Sequence, residues 1–398
     1  MPRRPNVIVF LTDQQRWDTT GFAGNPEGLT PNLDRMARRG AAFDAAITPQ
    51  PLCTPARSCL QTGRFATSNG VYRNGIPLDP EADTLAKRFG RAGWSCGYIG
   101  KWHLGDTSSR GPVRPEQRGG YQHWLAANAL EHTSDAYRTS VWDGDGQEVR
   151  LPGYRVDALT DAAIRYVADN ADRPFFLFLS FLEPHHQNHR DDYPAPEVYR
   201  DRYHGAWMPP DLAALRGTAY QQIGGYYGMI KRLDEAYGRL VDALHSLGLL
   251  DHTVLAFSSD HGNHFKTRNG EYKRSVHDAS ARVPLVLTGP DVPRGRFVEE
   301  VVSTVSLPAT LLELAGLEPP EQMQPSLARA LDPLAPQRPG EAFLQVSETE
   351  VARGLRTGRW KYGIAAPDAD PLADQHADRY VDSYLYDLHA DPSELTNL

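Results

Sequence analysis

Carboxylate, amide, ammonium and imidazole groups recur in this chain directly after short apolar runs. Asp13 and Gln14 follow Val7-Ile-Val-Phe-Leu11, and Lys101 and His103 follow the run from Ser95 to Ile99. Glu183-Pro184-His185 follows Phe175 to Leu182, and Asp260-His261-Gly262 follows Thr253 to Ser258. Any one of these is an ordinary loop residue. In open α/β sheets, however, ligands bind at the carboxyl ends of the strands, so the recurrence predicts one polar sheet edge. Asp13, Gln14, Asp260 and His261 together offer two carboxylates, an amide oxygen and an imidazole. The oxygens suit Ca²⁺ or Mg²⁺. The imidazole leaves Mn²⁺ or Zn²⁺ open on ligand type alone. The competing reading of Asp260 and His261 is a turn before Gly262.

The segment Leu52-Cys53-Thr54-Pro55-Ala56-Arg57 is a second candidate. Pro55 suits the first turn of a helix running on through Arg57, Ser58 and Leu60. Cys53 then lies just ahead of that helix, where unpaired N–H groups and the dipole favour an anion. Two plainer readings compete: a small buried cysteine, and a nucleophilic thiolate assisted by Arg57.

Positioning these groups requires an alternation of strands and helices. Val7 to Leu11, Ser95 to Ile99, Phe175 to Leu182, Thr253 to Ser258 and Val283 to Leu287 read as buried strands. Thr30-Pro31 opens a helix closed by Gly40, with Thr30 as its cap. Further helices are predicted over Asp83 to Ala92, Val156 to Ala168 and Tyr220 to Leu247. The order predicts an α/β fold: a large, mostly parallel mixed sheet with helices on both faces. Residues 105–155 read as an irregular excursion outside the core. From Gln337-Arg-Pro-Gly onward the texture changes. Strand signals at Phe343–Val346, Trp360–Ile364 and Tyr384–Leu388 predict a small C-terminal antiparallel β subdomain. The expected organisation is a catalytic domain over 1–335 and the small subdomain over 336–398.

Composition narrows the function. The chain has 398 residues, 40% of them hydrophobic, and a net charge of -8, which excludes global disorder. With 42 basic residues against 50 acidic ones there is no nucleic-acid stripe. The three cysteines, Cys53, Cys59 and Cys96, cannot build a disulfide scaffold. No segment has the length of a membrane span. The apolar run after Met1-Pro-Arg-Arg is too short for a signal peptide and ends at Asp13. A cytoplasmic location is expected for the sequence as given, and a periplasmic or secreted one if a leader was removed.

Cys53-Thr-Pro-Ala-Arg57 resembles the Cys-x-Pro-x-Arg motif of the type I, formylglycine-dependent sulfatases, within the alkaline-phosphatase-like superfamily. Gly97-Tyr-Ile-Gly-Lys-Trp-His-Leu-Gly105 is similar to the second signature of that family. Thr12-Asp-Gln, Ser259-Asp-His-Gly262, Arg282-Val-Pro and the ending Leu385 to Asn397 also resemble it, in the family order. The resemblance implies that Cys53 becomes Cα-formylglycine through a maturation enzyme. It implies one Ca²⁺ per chain on Asp13, Gln14, Asp260 and His261, with residue 53 also touching the metal. It assigns Arg57, Lys101, His103, His185 and Lys273 to the sulfate and the reacting oxygens. His186 and His189 compete with His185, and Arg274 with Lys273. Gln14, His261 and the pair His277-Asp278 depart from the commonest family pattern.

The implied activity is a sulfuric ester hydrolase working through a formylglycine-sulfate intermediate. A plain thiol could not close that cycle, because it lacks the second hydroxyl that expels sulfate. The expected partner is a small-molecule or oligosaccharide sulfate ester, with a lean toward a sulfated carbohydrate. Segments 105–155 and 186–207, the pair His277-Asp278 and the C-terminal subdomain are the candidates for reading it. The alternatives are an aryl or choline sulfatase, a phosphonate monoester or phosphodiester hydrolase of the same superfamily, and a sulfated-glycan binder with unmodified Cys53.

Overall fold

The computed structural model describes residues 4–336 and 338–398. Met1, Pro2 and Arg3, and Gln337 of the expected linker, lie outside the described residues. The large sheet contains β1 (Asn6–Thr12), β2 (Ala41–Phe43), β3 (Ser95–Lys101), β4 (His123–Ala127), β5 (Thr139–Trp142), β6 (Glu148–Leu151), β7 (Phe175–Ser180), β8 (Thr253–Ser259), β9 (Leu285–Thr288) and β10 (Arg296–Val298). Their spatial order is β10-β2-β9-β8-β1-β7-β3-β4-β5-β6. The central run β8-β1-β7-β3-β4 is parallel. Antiparallel pairs occur only toward the flanks, at β9 and at β5 and β6.

Alternation along each central strand feeds two helix layers. Val7, Val9 and Leu11 enter one core cluster, while Ile8 and Phe10 enter the other. Phe176 and Phe178 divide from Phe175, Leu177 and Leu179 in the same way. This is why both runs read as continuously apolar: each face is covered. The first layer contains α2 (Cys53–Thr62), α3 (Leu85–Arg91) and α6 (Leu307–Leu314). The second contains α1 (Pro31–Arg39), α4 (Arg155–Asp169) and α5 (Ala219–Ser246). No described helix is long and apolar enough to cross a membrane.

Four local expectations are corrected. Segment 105–155 is no excursion: it supplies β4, paired in parallel with β3, and then β5 and β6. Trp124 and Ala126 of β4 are core residues. Val283 to Leu287 is not one strand. Arg282–Val283 belongs to a small separate sheet and Leu285–Thr288 to the large one. Pro284 stands at the break, where it has no N–H for a ladder. Thr30 does not cap α1 with its side chain. The N–H groups of Asn32 and Leu33 instead donate to the Asp234 carboxylate of α5, at 3.1 and 2.8 Å. The C-terminal sheet has four antiparallel strands where three were expected: β11 (Glu341–Val346), β12 (Ala352–Thr357), β13 (Trp360–Ala365) and β14 (Val381–Asp387). The missed strand, Ala-Arg-Gly-Leu-Arg-Thr, has little apolar signal of its own.

Candidate active site

β1, β3, β7 and β8 end side by side, and their following residues converge. Asp13 N donates to Glu183 O at 3.1 Å, and Asp260 N donates to Thr12 O at 3.2 Å, tying three of the strand ends together. Gly100 makes the close approach of β3 to β7 possible. Its φ is +109°, and a Cβ there would lie 1.8 Å from Ser180 O. Gln14 and His103 adopt left-handed backbone at φ 69° and 60°. Such conformations are uncommon outside glycine and concentrate at functional sites.

Cys53 is the first residue of α2, a helix with every residue buried. Its Sγ lies 2.9 Å from Lys273 Nζ, 3.2 Å from His261 Nε2 and 3.8 Å from Asp13 Oδ1. One turn on, Arg57 is saturated. Its Nε donates to Asp260 Oδ2, its Nη2 to Asp13 Oδ2, and its Nη1 to Lys101 O and Ser180 Oγ. Lys101 Nζ donates to Asp13 Oδ2 at 2.8 Å and lies 3.2 Å from Glu131 Oε1. Arg57 and Lys101 therefore sit behind the carboxylates. His103, His185 and Lys273 line the cavity above Cys53, which has a volume of about 430 Å³.

Hydrogen bonds orient two of the imidazoles. His185 Nδ1–H donates to His186 O at 2.6 Å, which leaves Nε2 to accept from Lys273 Nζ at 3.1 Å. His261 Nδ1–H donates to Gly262 O at 2.9 Å. Its Nε2 faces Asp13 Oδ1 and Asp260 Oδ1, each at 3.5 Å.

Electrostatics follow from burial and these neighbours. Burial opposes ionisation of Cys53, but Lys101, Lys273 and His261 outweigh it and hold the thiol well below its ordinary range. Burial and Cys53 push Asp13 up, while Lys101, His185 and Arg57 bring it far below the usual carboxylate range. Asp260 is raised instead, by burial and by the charge of Asp13. Burial and Lys273 keep His185 below the usual imidazole value.

A divalent cation fits this donor set. One ligand atom each from Asp13, Cys53, Asp260 and His261 lies within 4.8 Å of the others. The buried side-chain Oε1 of Gln14 has no hydrogen-bond partner, and its backbone N–H donates to Asp260 Oδ1. Two adjacent buried carboxylates with an imidazole lone pair and an orphan amide oxygen match the oxygen-rich preference of a hard cation.

The competing positions separate clearly. Arg274 pairs with Glu271 at 2.6 Å and Glu348 at 2.8 Å. The His186 ring is stacked 4.3 Å from that of His185 and packs 4.3 Å from that of Tyr272. His277 and Asp278, expected near the substrate, are buried against the C-terminal sheet instead. His277 Nε2 meets Tyr386 Oη at 3.1 Å, and Asp278 Oδ1 meets Lys361 Nζ at 2.5 Å.

Glu131 is the charged group that strand-end reasoning missed. It is buried between Lys101 and His103, at 3.2 and 3.8 Å. Burial raises it, but Lys101, His103 and His185 bring its carboxyl down to about 2. It follows β4 by four residues, so recognising that strand would have flagged it.

The family model described as Sulfatase matches residues 5–317, and that of the N-sulphoglucosamine sulphohydrolase C-terminal region matches residues 270–398. The chain is 32% identical to an ulvan-active sulfatase of Formosa agariphila, over 81% of this chain and 64% of that protein. It is 27% identical to a choline-sulfatase of Rhizobium meliloti, over 99% of this chain and 82% of that one. A solved Bacteroides thetaiotaomicron structure, BT33494S-sulf, superposes with a TM-score of 0.84 at 23% identity. That match covers 100% of this chain and 92% of the other, and it shows the shared fold.

Proposed function

Because this chain belongs to the sulfatase family, we propose that it hydrolyses a sulfate monoester of a carbohydrate, using formylglycine at position 53 and one Ca²⁺. The observation that carries the reading is the setting of Cys53: Lys273 Nζ at 2.9 Å and His261 Nε2 at 3.2 Å, at the floor of a polar cavity. Asp13, Gln14, Asp260 and His261 would hold the cation, which supplies Lewis-acid stabilisation of charge on the sulfate oxygens when bound. Residue 53, once oxidised to the hydrated aldehyde by a maturation enzyme, supplies one hydroxyl as nucleophile and a second for sulfate release.

The remaining groups take roles from their positions. Arg57 orients both carboxylates through its paired bonds and touches no substrate. Lys273 Nζ and His185 Nε2, 3.1 Å apart, share a proton suited to the leaving alcohol. His103 turns Nε2 toward Glu131, and its Nδ1 has no partner. That lone pair can take the proton of the second hydroxyl. Lys101 bridges Asp13 and Glu131 and places its positive charge beneath residue 53.

A carbohydrate is favoured over choline by the cavity walls. Arg110, Arg274 and four histidines face the cavity and Tyr272 is its aromatic wall residue. A quaternary ammonium calls for an aromatic cage without cations. The ulvan-active relative points the same way. The test is sulfate release from sulfated mono- and disaccharides, aryl sulfates and choline sulfate, beside a phosphodiester and a phosphonate monoester. Turnover of the phosphorus esters alone would reassign the enzyme.

A further inference from the structure

A second and larger cavity, of about 890 Å³, opens beside the first, and the two share Arg110, Glu131 and His132 as walls. We propose that it is a subsite for the neighbouring unit of an anionic oligosaccharide, with Arg110 and Arg138 reading a second anionic group on that unit. The proposal rests on the sulfatase reading of the Cys53 site and extends it to the leaving group.

Charge pairing singles out the two arginines. Arg150 in the same cavity lies 3.3 Å from Glu148, and Asp135 lies 3.3 Å from Arg190. Arg110 and Arg138 have no carboxylate within 4.0 Å among the described residues. Both are presented from pinned backbone. Arg110 O accepts from Ala129 N at 2.7 Å, and Arg138 exchanges two 3.0 Å backbone bonds with Asp135. A free guanidinium on a fixed backbone suits bidentate recognition of a carboxylate or sulfate.

Tyr137 supplies an apolar face. It is 55% exposed, yet its ring packs 5.2 Å from that of Tyr154, which holds it as a platform for a pyranose ring. Charge readers and an aromatic platform lie in one cavity, which adjoins the cavity of the reacting residue through shared walls.

The shared chemistry is an anionic substituent, whether carboxylate or second sulfate, and the test separates these. The Cys53→Ala protein, which cannot turn over, is titrated with disaccharides sulfated at different hydroxyls. Each comes in matched pairs: neighbouring uronate against its carboxyl-reduced form, and second sulfate against free hydroxyl. In at least one pair the anionic form is expected to bind about tenfold tighter at physiological salt. Adding Arg138→Gln should remove that advantage while leaving binding of the neutral form, and adding Arg110→Gln should remove it as well. Equal binding within every pair, binding by no member, or a preference that survives both arginine changes would overturn the proposal. A preference that persists while formylglycine-bearing protein hydrolyses no sulfate ester would instead sink the sulfatase reading and leave the subsite.

Discussion

The Lys273 ammonium stands 2.9 Å from Cys53 Sγ and 3.1 Å from His185 Nε2, although 220 residues of chain separate it from Cys53. A cation this close to residue 53 serves both the ionised thiol before maturation and the oxygen chemistry after it. The immature thiol is held well below its ordinary range by Lys101, Lys273 and His261 against the cost of burial. Reactive thiolates occupy such electropositive settings.

The first prediction concerns that residue. Peptide mass spectrometry across position 53 should find the aldehyde in active protein from a host that modifies cysteine. Cys53→Ala in that host should lower kcat/KM by about 10³-fold or more. Fully active protein carrying an intact thiol would refute the mechanism.

Asp13 and Asp260 share one donor cluster and one guanidinium. A divalent cation should relieve their repulsion, so elemental analysis should give one Ca²⁺ per chain. Chelation should remove activity and lower the thermal midpoint. At a hundredfold excess over Kd, a bound ion stabilises by about 2.7 kcal/mol. Asp260→Asn should weaken binding and reduce kcat severely. Stoichiometric zinc would overturn the calcium assignment.

Glu131→Gln keeps the shape and removes the charge between Lys101 and His103. The expected result is roughly a 10- to 100-fold fall in kcat, the scale for losing a partner that orients a site residue, and a displaced pH–rate profile. Removing one partner of the buried Lys101–Glu131 pair should also lower the thermal midpoint, so kcat is compared at a temperature where the variant is folded. An unchanged kcat would make Glu131 a mere counter-ion.

Lys361 joins the C-terminal sheet to the main body. Its buried Nζ meets Asp278 Oδ1 at 2.5 Å and Glu394 Oε1 at 2.6 Å. Lys361→Met leaves two buried carboxylates facing each other, and breaking a buried pair typically costs about 3–5 kcal/mol. Urea titration should show a midpoint lowered accordingly. A midpoint equal to wild type would mean that the cluster contributes nothing to stability.

Legibility in the sequence followed physical signal strength. Val7–Leu11 and Phe175–Ser180 were readable because both their faces are buried, which demands unbroken apolar runs. β4 was not, because His123-Trp-Leu-Ala-Ala is short and begins on an exposed histidine, and Glu131 was lost with it. The cap of α1 is not legible locally, because its acceptor, Asp234, lies about 200 residues away. Arg57 was legible as a site residue from its motif. Its direction, into Asp13 and Asp260, depends on tertiary packing that no spacing encodes. Lys273 lies in an irregular loop with no strand to mark it, so only the family resemblance pointed there.

His264 gives the fifth prediction, a pH dependence of stability. Its backbone N–H donates to Tyr272 O at 2.8 Å and its Nε2–H to Lys273 O at 3.0 Å, so it anchors the loop that carries Lys273. Its Nδ1 is buried without a partner. Protonation would place a charge in a buried setting, and burial accordingly lowers the imidazole to about 4 from 6.5. A lowered histidine is neutral in the folded chain while the unfolded chain binds the proton. Stability contributed by the neutral form is therefore complete above pH 6.5 and is lost as pH falls from 6.5 toward 4. The loss reaches about 3 kcal/mol at the acid limit. Urea midpoints measured between pH 7.5 and 4 should fall over that window, and His264→Gln, which keeps a donor for Lys273 O, should flatten the slope. An identical slope in the variant would remove His264 as the titrating group.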